Sequence, residues 1–242
     1  MKLLIIRHGD PDYSIDSLTP AGWQEAQLLA DRLEKMDIKA FYVSPLGRAK
    51  DTAAETLRRK GVEATVMDWL QEFPAKVFRP GEKESGVAWD WLPQDWMEIP
   101  AFFDKDAWSH VPAYEQANVP VLAQKVYDGL DALLEKHGYV RQGNRYRAVK
   151  ANEDTIALIC HFGLECVLLG HLMNVSPVIL WHNACAAPTS VTTLTTEERR
   201  KGIVSFRMNA FGDTSHLYAA GREPSFSARF CETYENTNQR HD

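Results

Sequence analysis

Residues 2–9 read Lys2-Leu3-Leu4-Ile5-Ile6-Arg7-His8-Gly9. The run from Lys2 to Ile6 is short, continuous and rich in Leu and Ile, without the alternation of a half-exposed strand. It predicts a strand buried on both faces in a parallel sheet. A turn-like stretch with Asp10, Pro11 and Asp12 follows, and Thr19-Pro20 has the chemistry of a helix N-cap with proline at the first helical position. Ala26, Leu29, Ala30 and Leu33 then recur at helical spacing and give one apolar face up to about Lys35. Phe41-Tyr42-Val43 predicts a second short strand, closed by Ser44-Pro45. Leu46 to Arg59 predicts a second helix, with Gly61 as its stop. Strand and helix alternate twice, which argues for a three-layer α/β/α sandwich with a mainly parallel sheet and functional groups at the carboxyl ends of its strands.

The rest of the chain fits the same plan with one interruption. Val62 to Met67 is a candidate third strand, after which periodicity is lost between about residues 73 and 120. That stretch carries six prolines and four tryptophans, Trp89, Trp91, Trp96 and Trp108, and so suits an inserted cap better than a core element. Helical spacing returns from Val121 to Lys136, with Gly138 as the stop. Tyr139 to Arg141 and Tyr146 to Val149 flank a turn-rich segment and predict a hairpin. Thr155 to Cys160 is a second buried-strand run that leads into a helix from Leu164 to Met173. Val191 to Leu194 and Ile203 to Met208 predict an antiparallel pair that completes the sheet. The polar tail after about Cys231 is expected to fray. Residues 1–242 are thus expected to form one domain with an irregular insertion at about 73–120.

Composition sets outer limits. The 242 residues carry a formal net charge of -6, so no global positive field draws in nucleic acid or an anionic membrane. Any anion site must be local. No stretch approaches the roughly 20 apolar residues needed to span a bilayer. The N-terminal apolar run is too short for a signal-peptide core, and the four cysteines have neither CxxC spacing nor a dense framework. The expectation is a soluble cytoplasmic protein with reduced thiols.

The chemistry collects at strand ends. Arg7-His8-Gly9 and His161-Phe162-Gly163 each follow a buried-strand run, and strand carbonyl ends in such a fold line one crevice. Arg48, in the first turn of the helix after the second strand, faces the same crevice. Guanidinium forks and helix N-terminal amides both suit phosphate oxygens.

Arg7-His8-Gly9, Leu18-Thr19-x-x-Gly22, Ser44-Pro45-Leu46-x-Arg48-Ala49-x-x-Thr52-Ala53, Leu70-x-Glu72, His161-x-Gly163 and Asn183 occur here in an order that resembles the histidine phosphatase superfamily, which also contains the cofactor-dependent phosphoglycerate mutases. The resemblance covers most of the chain outside the irregular segment. It implies a histidine acid phosphatase-like phosphoric monoester hydrolase that needs neither metal nor cofactor and acts on a small phosphorylated substrate. His8 would attack phosphorus and form a phosphohistidine. Arg7, Arg48 and His161 would hold the equatorial oxygens, with Asn183 as a further substrate contact, and Glu72 would move the proton of the leaving oxygen. A mutase that moves phosphate within one small acid, and a silent module that only binds a phospholigand, are the rival readings.

Two positions depart from the family pattern. Asp10-Pro11-Asp12-Tyr13-Ser14 stands where many relatives have Glu-Thr or Glu-Ser and a nearby Asn, and Glu25 stands where Gln is common. Asp68, Glu82 and Glu84 are close enough in sequence to compete with Glu72. His182 reads as a turn cap, Cys166 as a buried thiol, and Arg141, Arg145, Arg147 and Lys150 as a solvated basic face.

Overall fold

The structure, a computed structural model, describes residues 1–227 and 229–241. Its first strand, β1 (Lys2–Arg7), lies between one parallel and one antiparallel neighbour, and its side chains alternate between two cores. Leu3 and Ile5 join the larger cluster, and Leu4 and Ile6 the smaller one. Burial on both faces is the reason this run contains no polar residue between Lys2 and Arg7. Each such side chain stabilises the fold by roughly 1.5–3 kcal/mol relative to exposure.

A two-stranded ribbon, β2 (Pro11–Asp12) and β3 (Ser17–Leu18), leads to α1 (Pro20–Leu33). The expected cap is present: the Thr19 hydroxyl accepts the Gly22 N–H, and Pro20 opens the helix. β4 (Ala40–Val43) and α2 (Gly47–Lys60) follow, and Gly61 ends α2 in the left-handed conformation at φ 62°. Leu29 and Leu33 of α1 and Ala49 and Ala53 of α2 cover the smaller core. Gly22 brings α1 against the loop after His8, because a Cβ there would lie 2.3 Å from the Asp10 carbonyl oxygen. Gly22→Ala is expected to cost about 2–3 kcal/mol, since backbone must shift to admit the methyl. The urea midpoint of the variant measures this, and an unchanged midpoint would contradict the packing.

β5 (Ala64–Val66) and a single 3₁₀ turn at Asp68–Leu70 precede the insertion. There the chain forms a small hairpin, β6 (Lys76–Phe78) with β7 (Ser85–Val87), then α3 (Pro93–Trp96), two 3₁₀ turns and α4 (Pro112–Gln116). Trp91, Trp96 and Trp108 are buried in the larger core, and the Tyr114 hydroxyl donates to the Ala88 carbonyl at 2.7 Å. The insertion is therefore tied to the body by aromatic packing, and its tryptophans are part of the larger core and not only of a cap.

α5 (Val119–Lys136) covers the larger core and ends before Gly138 at φ 93°. The hairpin β8 (Tyr139–Gln142) and β9 (Arg145–Ala148) does more than connect. It joins the sheet edge. β10 (Thr155–Cys160) leads into α6 (Phe162–Met173) and α7 (Pro177–Asn183), and β11 (Val191–Arg200) and β12 (Ile203–Asp213) form the long antiparallel pair before α8 (Ser215–Ala219). Among the described residues the main sheet has the order β5-β4-β10-β1-β11-β12-β9-β8. β5, β4, β10 and β1 pair in parallel, and this half carries the functional strand ends. Helices lie on both faces, giving the α/β layered architecture expected.

The tail departs from expectation. The Cys231 N–H donates to the Arg240 carbonyl at 2.8 Å, and Arg240 pairs with Asp90 at 2.7 Å, so the polar end returns to the insertion instead of fraying. Charge pairing and backbone bonds substitute for the apolar contacts that the tail lacks. Among the described residues no helix is long and apolar enough to cross a membrane.

Candidate active site

The register between β1 and β10 builds the centre of the site. Arg7 stands opposite Cys160 in the parallel ladder, and the His8 N–H donates to the Cys160 carbonyl at 3.0 Å. His8 and His161, each one residue past its strand, consequently meet with ring centroids 5.1 Å apart. Both are buried.

His8 Nδ1 lies 2.7 Å from the Gly9 carbonyl oxygen. A carbonyl only accepts, so Nδ1 carries the proton and Nε2 keeps its lone pair. Burial, then the Arg7 guanidinium, holds the imidazole well below its usual range, with the Gly9 bond acting in the opposite sense. The ring is neutral at neutral pH. His161 Nε2 bonds the Ser44 hydroxyl at 2.7 Å, while its Nδ1 is buried without a partner among the described residues. Burial first, then His8, Arg48 and Arg7, keeps this second ring neutral as well.

Two guanidinium groups flank the pair. Arg7 Nη1 donates to the Ala186 carbonyl at 2.6 Å and Nη2 to the Ser227 hydroxyl at 3.3 Å. Arg48 Nη1 donates to Asp16 at 2.6 Å, and the same carboxylate accepts the Gly47 N–H at 2.7 Å. The Nε groups of both arginines are buried and unpartnered among the described residues, leaving donors for an oxyanion.

Glu72 is half-buried, with its carboxyl turned onto the first turn of α6. Oε1 accepts the Phe73 N–H at 2.8 Å and the Leu164 N–H at 3.0 Å. Burial raises this carboxyl above its ordinary range against the pull of those backbone donors and of Arg7. Gly163 is required here by close approach, since a Cβ would lie 2.8 Å from Glu72 Oε1 and 2.9 Å from the Trp89 ring.

The loop that holds His8 is fixed from several sides. The Gly9 N–H donates to Thr52 at 2.9 Å, the Asp10 N–H to Glu25 at 2.8 Å, and the Thr189 N–H to the His8 carbonyl at 3.2 Å. Glu25, the residue that departs from the family pattern, is thus a buried partner of the first motif's backbone. Thr189 sits at φ 56°, a conformation that is costly for a β-branched residue and is retained where surrounding bonds impose it.

A cavity of about 520 Å³ opens above these groups. Arg7, His8, Arg48 and Glu72 reach its wall, together with Tyr13, Lys76, Trp89 and Trp181. Trp89 is the insertion tryptophan at the cavity. Asn183 is not brought to the site: it is exposed at the end of α7, and its amide donates to the Ile179 carbonyl at 3.0 Å. The helix continues through Asn183 and turns its side chain back along its own backbone. His182 also has a structural role, accepting the Trp91 N–H at 3.2 Å and stacking on Trp96. Asp16, Ala186, Thr189 and Ser227 were missed by sequence reading. Ser44 carried a signal, as the first residue of the Ser44-Pro45-Leu46-x-Arg48 motif.

Comparisons with known proteins bear on the fold and the family. The chain resembles, at 20% identity, a phosphoserine phosphatase from Entamoeba histolytica solved with 3-phosphoglyceric acid, with a TM-score of 0.60 over 89% of this chain and 98% of that one. A mycobacterial glucosyl-3-phosphoglycerate phosphatase solved with VO3 is 19% identical, with a TM-score of 0.58 over 88% of this chain and 99% of that one. At such identities the likeness concerns the fold. No curated protein matches the chain in sequence. The family model of the histidine phosphatase superfamily (branch 1) matches residues 3–209. With more than two thirds of the chain inside that match, the protein belongs to the histidine phosphatase superfamily, branch 1.

Proposed function

We propose that the protein is a metal-independent phosphatase that hydrolyses a small phosphomonoester through a phosphohistidine on His8. The observation that supports this most is the neutral His8 ring, its Nδ1 proton fixed by Gly9, its Nε2 keeping the lone pair, and the charges of Arg7 and Arg48 acting on it. In the first step Nε2 forms a bond to phosphorus as the ester P–O bond breaks, and the departing oxygen takes the proton of Glu72. In the second, water attacks the phosphohistidine, its proton passes to the Glu72 carboxylate, and inorganic phosphate leaves His8. Arg7, Arg48 and His161 stabilise the equatorial oxygens in the loose transition state, the task that a divalent ion performs in other phosphoryl-transfer enzymes. A cytoplasmic setting belongs to the same reading.

Hydrolysis of p-nitrophenyl phosphate is expected to proceed at an unchanged rate after treatment with excess EDTA. Loss of activity on chelation, restored by a divalent ion, would overturn the metal-independent mechanism. A phosphoglycerate mutase assay primed with bisphosphoglycerate is expected to show hydrolysis exceeding transfer, and the opposite ratio would favour the mutase.

A further inference from the structure

The peptide unit between His8 and Gly9 is pinned at both ends. Its N–H donates to Thr52 at 2.9 Å, and its carbonyl, that of His8, accepts the Thr189 N–H at 3.2 Å. The next carbonyl, that of Gly9, fixes Nδ1 of the His8 ring. A slip of this peptide therefore turns the ring, and Nε2 with it. Thr189 is buried and stands at φ 56°, where a β-branched residue stays only under constraint. Its hydroxyl supplies that constraint. Oγ1 lies 2.8 Å from the Pro188 carbonyl oxygen and 3.1 Å from His216 Nε2. A carbonyl only accepts, so the hydroxyl proton goes to Pro188 and the His216 Nε2–H donates to the oxygen. His216 Nδ1 is buried without a partner among the described residues, in keeping with a ring protonated at Nε2 alone.

We propose that His216 is a positioning residue for the nucleophile: through the Thr189 hydroxyl it holds the left-handed turn that pins the His8–Gly9 peptide, and so sets the aim of His8 Nε2. The proposal rests on the phosphatase reading in taking His8 as the nucleophile. From His216 to His8 the connection runs through two hydrogen bonds, one to the Thr189 hydroxyl and one from the Thr189 amide. Its far end is anchored. His216 lies near the start of α8, where Asp213 accepts the Ser215 N–H at 2.8 Å and pairs with Arg32 of α1 at 2.7 Å. Burial first, and then Arg32, brings the His216 ring down to about 4, with Asp213 acting in the opposite sense, so the ring is a neutral donor at neutral pH.

The test is a cycle of His216 and Thr189 variants, read as kcat and as affinity for tungstate. Phenylalanine keeps the ring and removes the donor, so His216→Phe is expected to lower kcat for p-nitrophenyl phosphate by about tenfold per folded site, the scale of a small displacement of a reacting group. The tungstate dissociation constant should move by less than about threefold, because Arg48 is anchored at Asp16, and Arg7 at Ser227 as well as Ala186. His216→Gln, whose amide returns a donor to the Nε2 position, should recover most of the loss. In a Thr189→Gly background, where glycine takes the left-handed conformation without the hydroxyl, His216→Phe should change kcat by less than about twofold. Native kcat in His216→Phe, no recovery in His216→Gln, tungstate affinity lost as far as kcat, or an equal loss in the glycine background overturns the proposal. Should His216→Phe fail to fold, His216→Asn takes its place, since its shorter amide stops short of Thr189. Absence of turnover in the native chain would sink the phosphatase reading instead. The His8 Nδ1 proton in nitrogen-15 spectra then decides the proposal, exchanging with water faster in the variant if His216 positions the ring and at the native rate if it does not.

Discussion

His8→Ala is expected to lower kcat for p-nitrophenyl phosphate by at least about 10⁴-fold, because removal of a nucleophile leaves only binding and electrostatics to act on a water attack. Binding of an oxyanion should survive within a few-fold, since Arg7 and Arg48 hold their places through Ala186, Ser227 and Asp16 and not through His8. The two measurements together separate lost chemistry from lost structure. Acid quench of the native chain during turnover should trap an acid-labile phosphoenzyme that the variant does not form. A variant with near-native turnover would remove His8 from the mechanism, and with it the meaning assigned to the fixed Nδ1 proton.

Glu72→Gln carries the second large effect. For an alkyl phosphate, whose leaving oxygen must be protonated, kcat is expected to fall by about 10³-fold, within the usual range for loss of a general acid. For p-nitrophenyl phosphate the loss should be much smaller, because that oxygen departs without a proton. The sign of the pH dependence follows from burial. A carboxyl raised above its ordinary range donates while protonated, so activity on the alkyl substrate declines as pH rises through the raised value. The Gln variant should lack that alkaline decline. If both substrates fall equally, or the decline persists, Glu72 is not the acid and the neighbouring carboxylates return as candidates.

The centre of the site was legible for a physical reason. Buried parallel strands announce themselves as unbroken apolar runs, and in an α/β sheet their ends converge, so His8 and His161 could be placed together from two short stretches. The helix boundaries at Thr19, Gly61 and Gly138 were legible because capping and left-handed stops are local chemistry. Contacts set by long loops left no such mark. Nothing near Asp16 in sequence indicates that it pairs with Arg48, and Ser227 reaches Arg7 across the whole fold. The attachment of β9 to β12 was similarly hidden, because a hairpin satisfies its own pattern whether or not it joins a larger sheet. Asn183 misled because its position before the last strands was matched by order alone, and the end of α7 directs it elsewhere.

Several groups at the centre are held by the main chain. The carbonyls of Gly9 and Ala186 orient His8 and Arg7, the amides of Phe73 and Leu164 hold Glu72, and the Thr189 amide grips the His8 carbonyl. Main-chain atoms are not altered by a point substitution that leaves the local conformation in place. The surrounding sequence can therefore drift widely over evolutionary time without disturbing the reactive geometry, and novelty in substrate choice can accumulate in the insertion while the chemistry stays inherited.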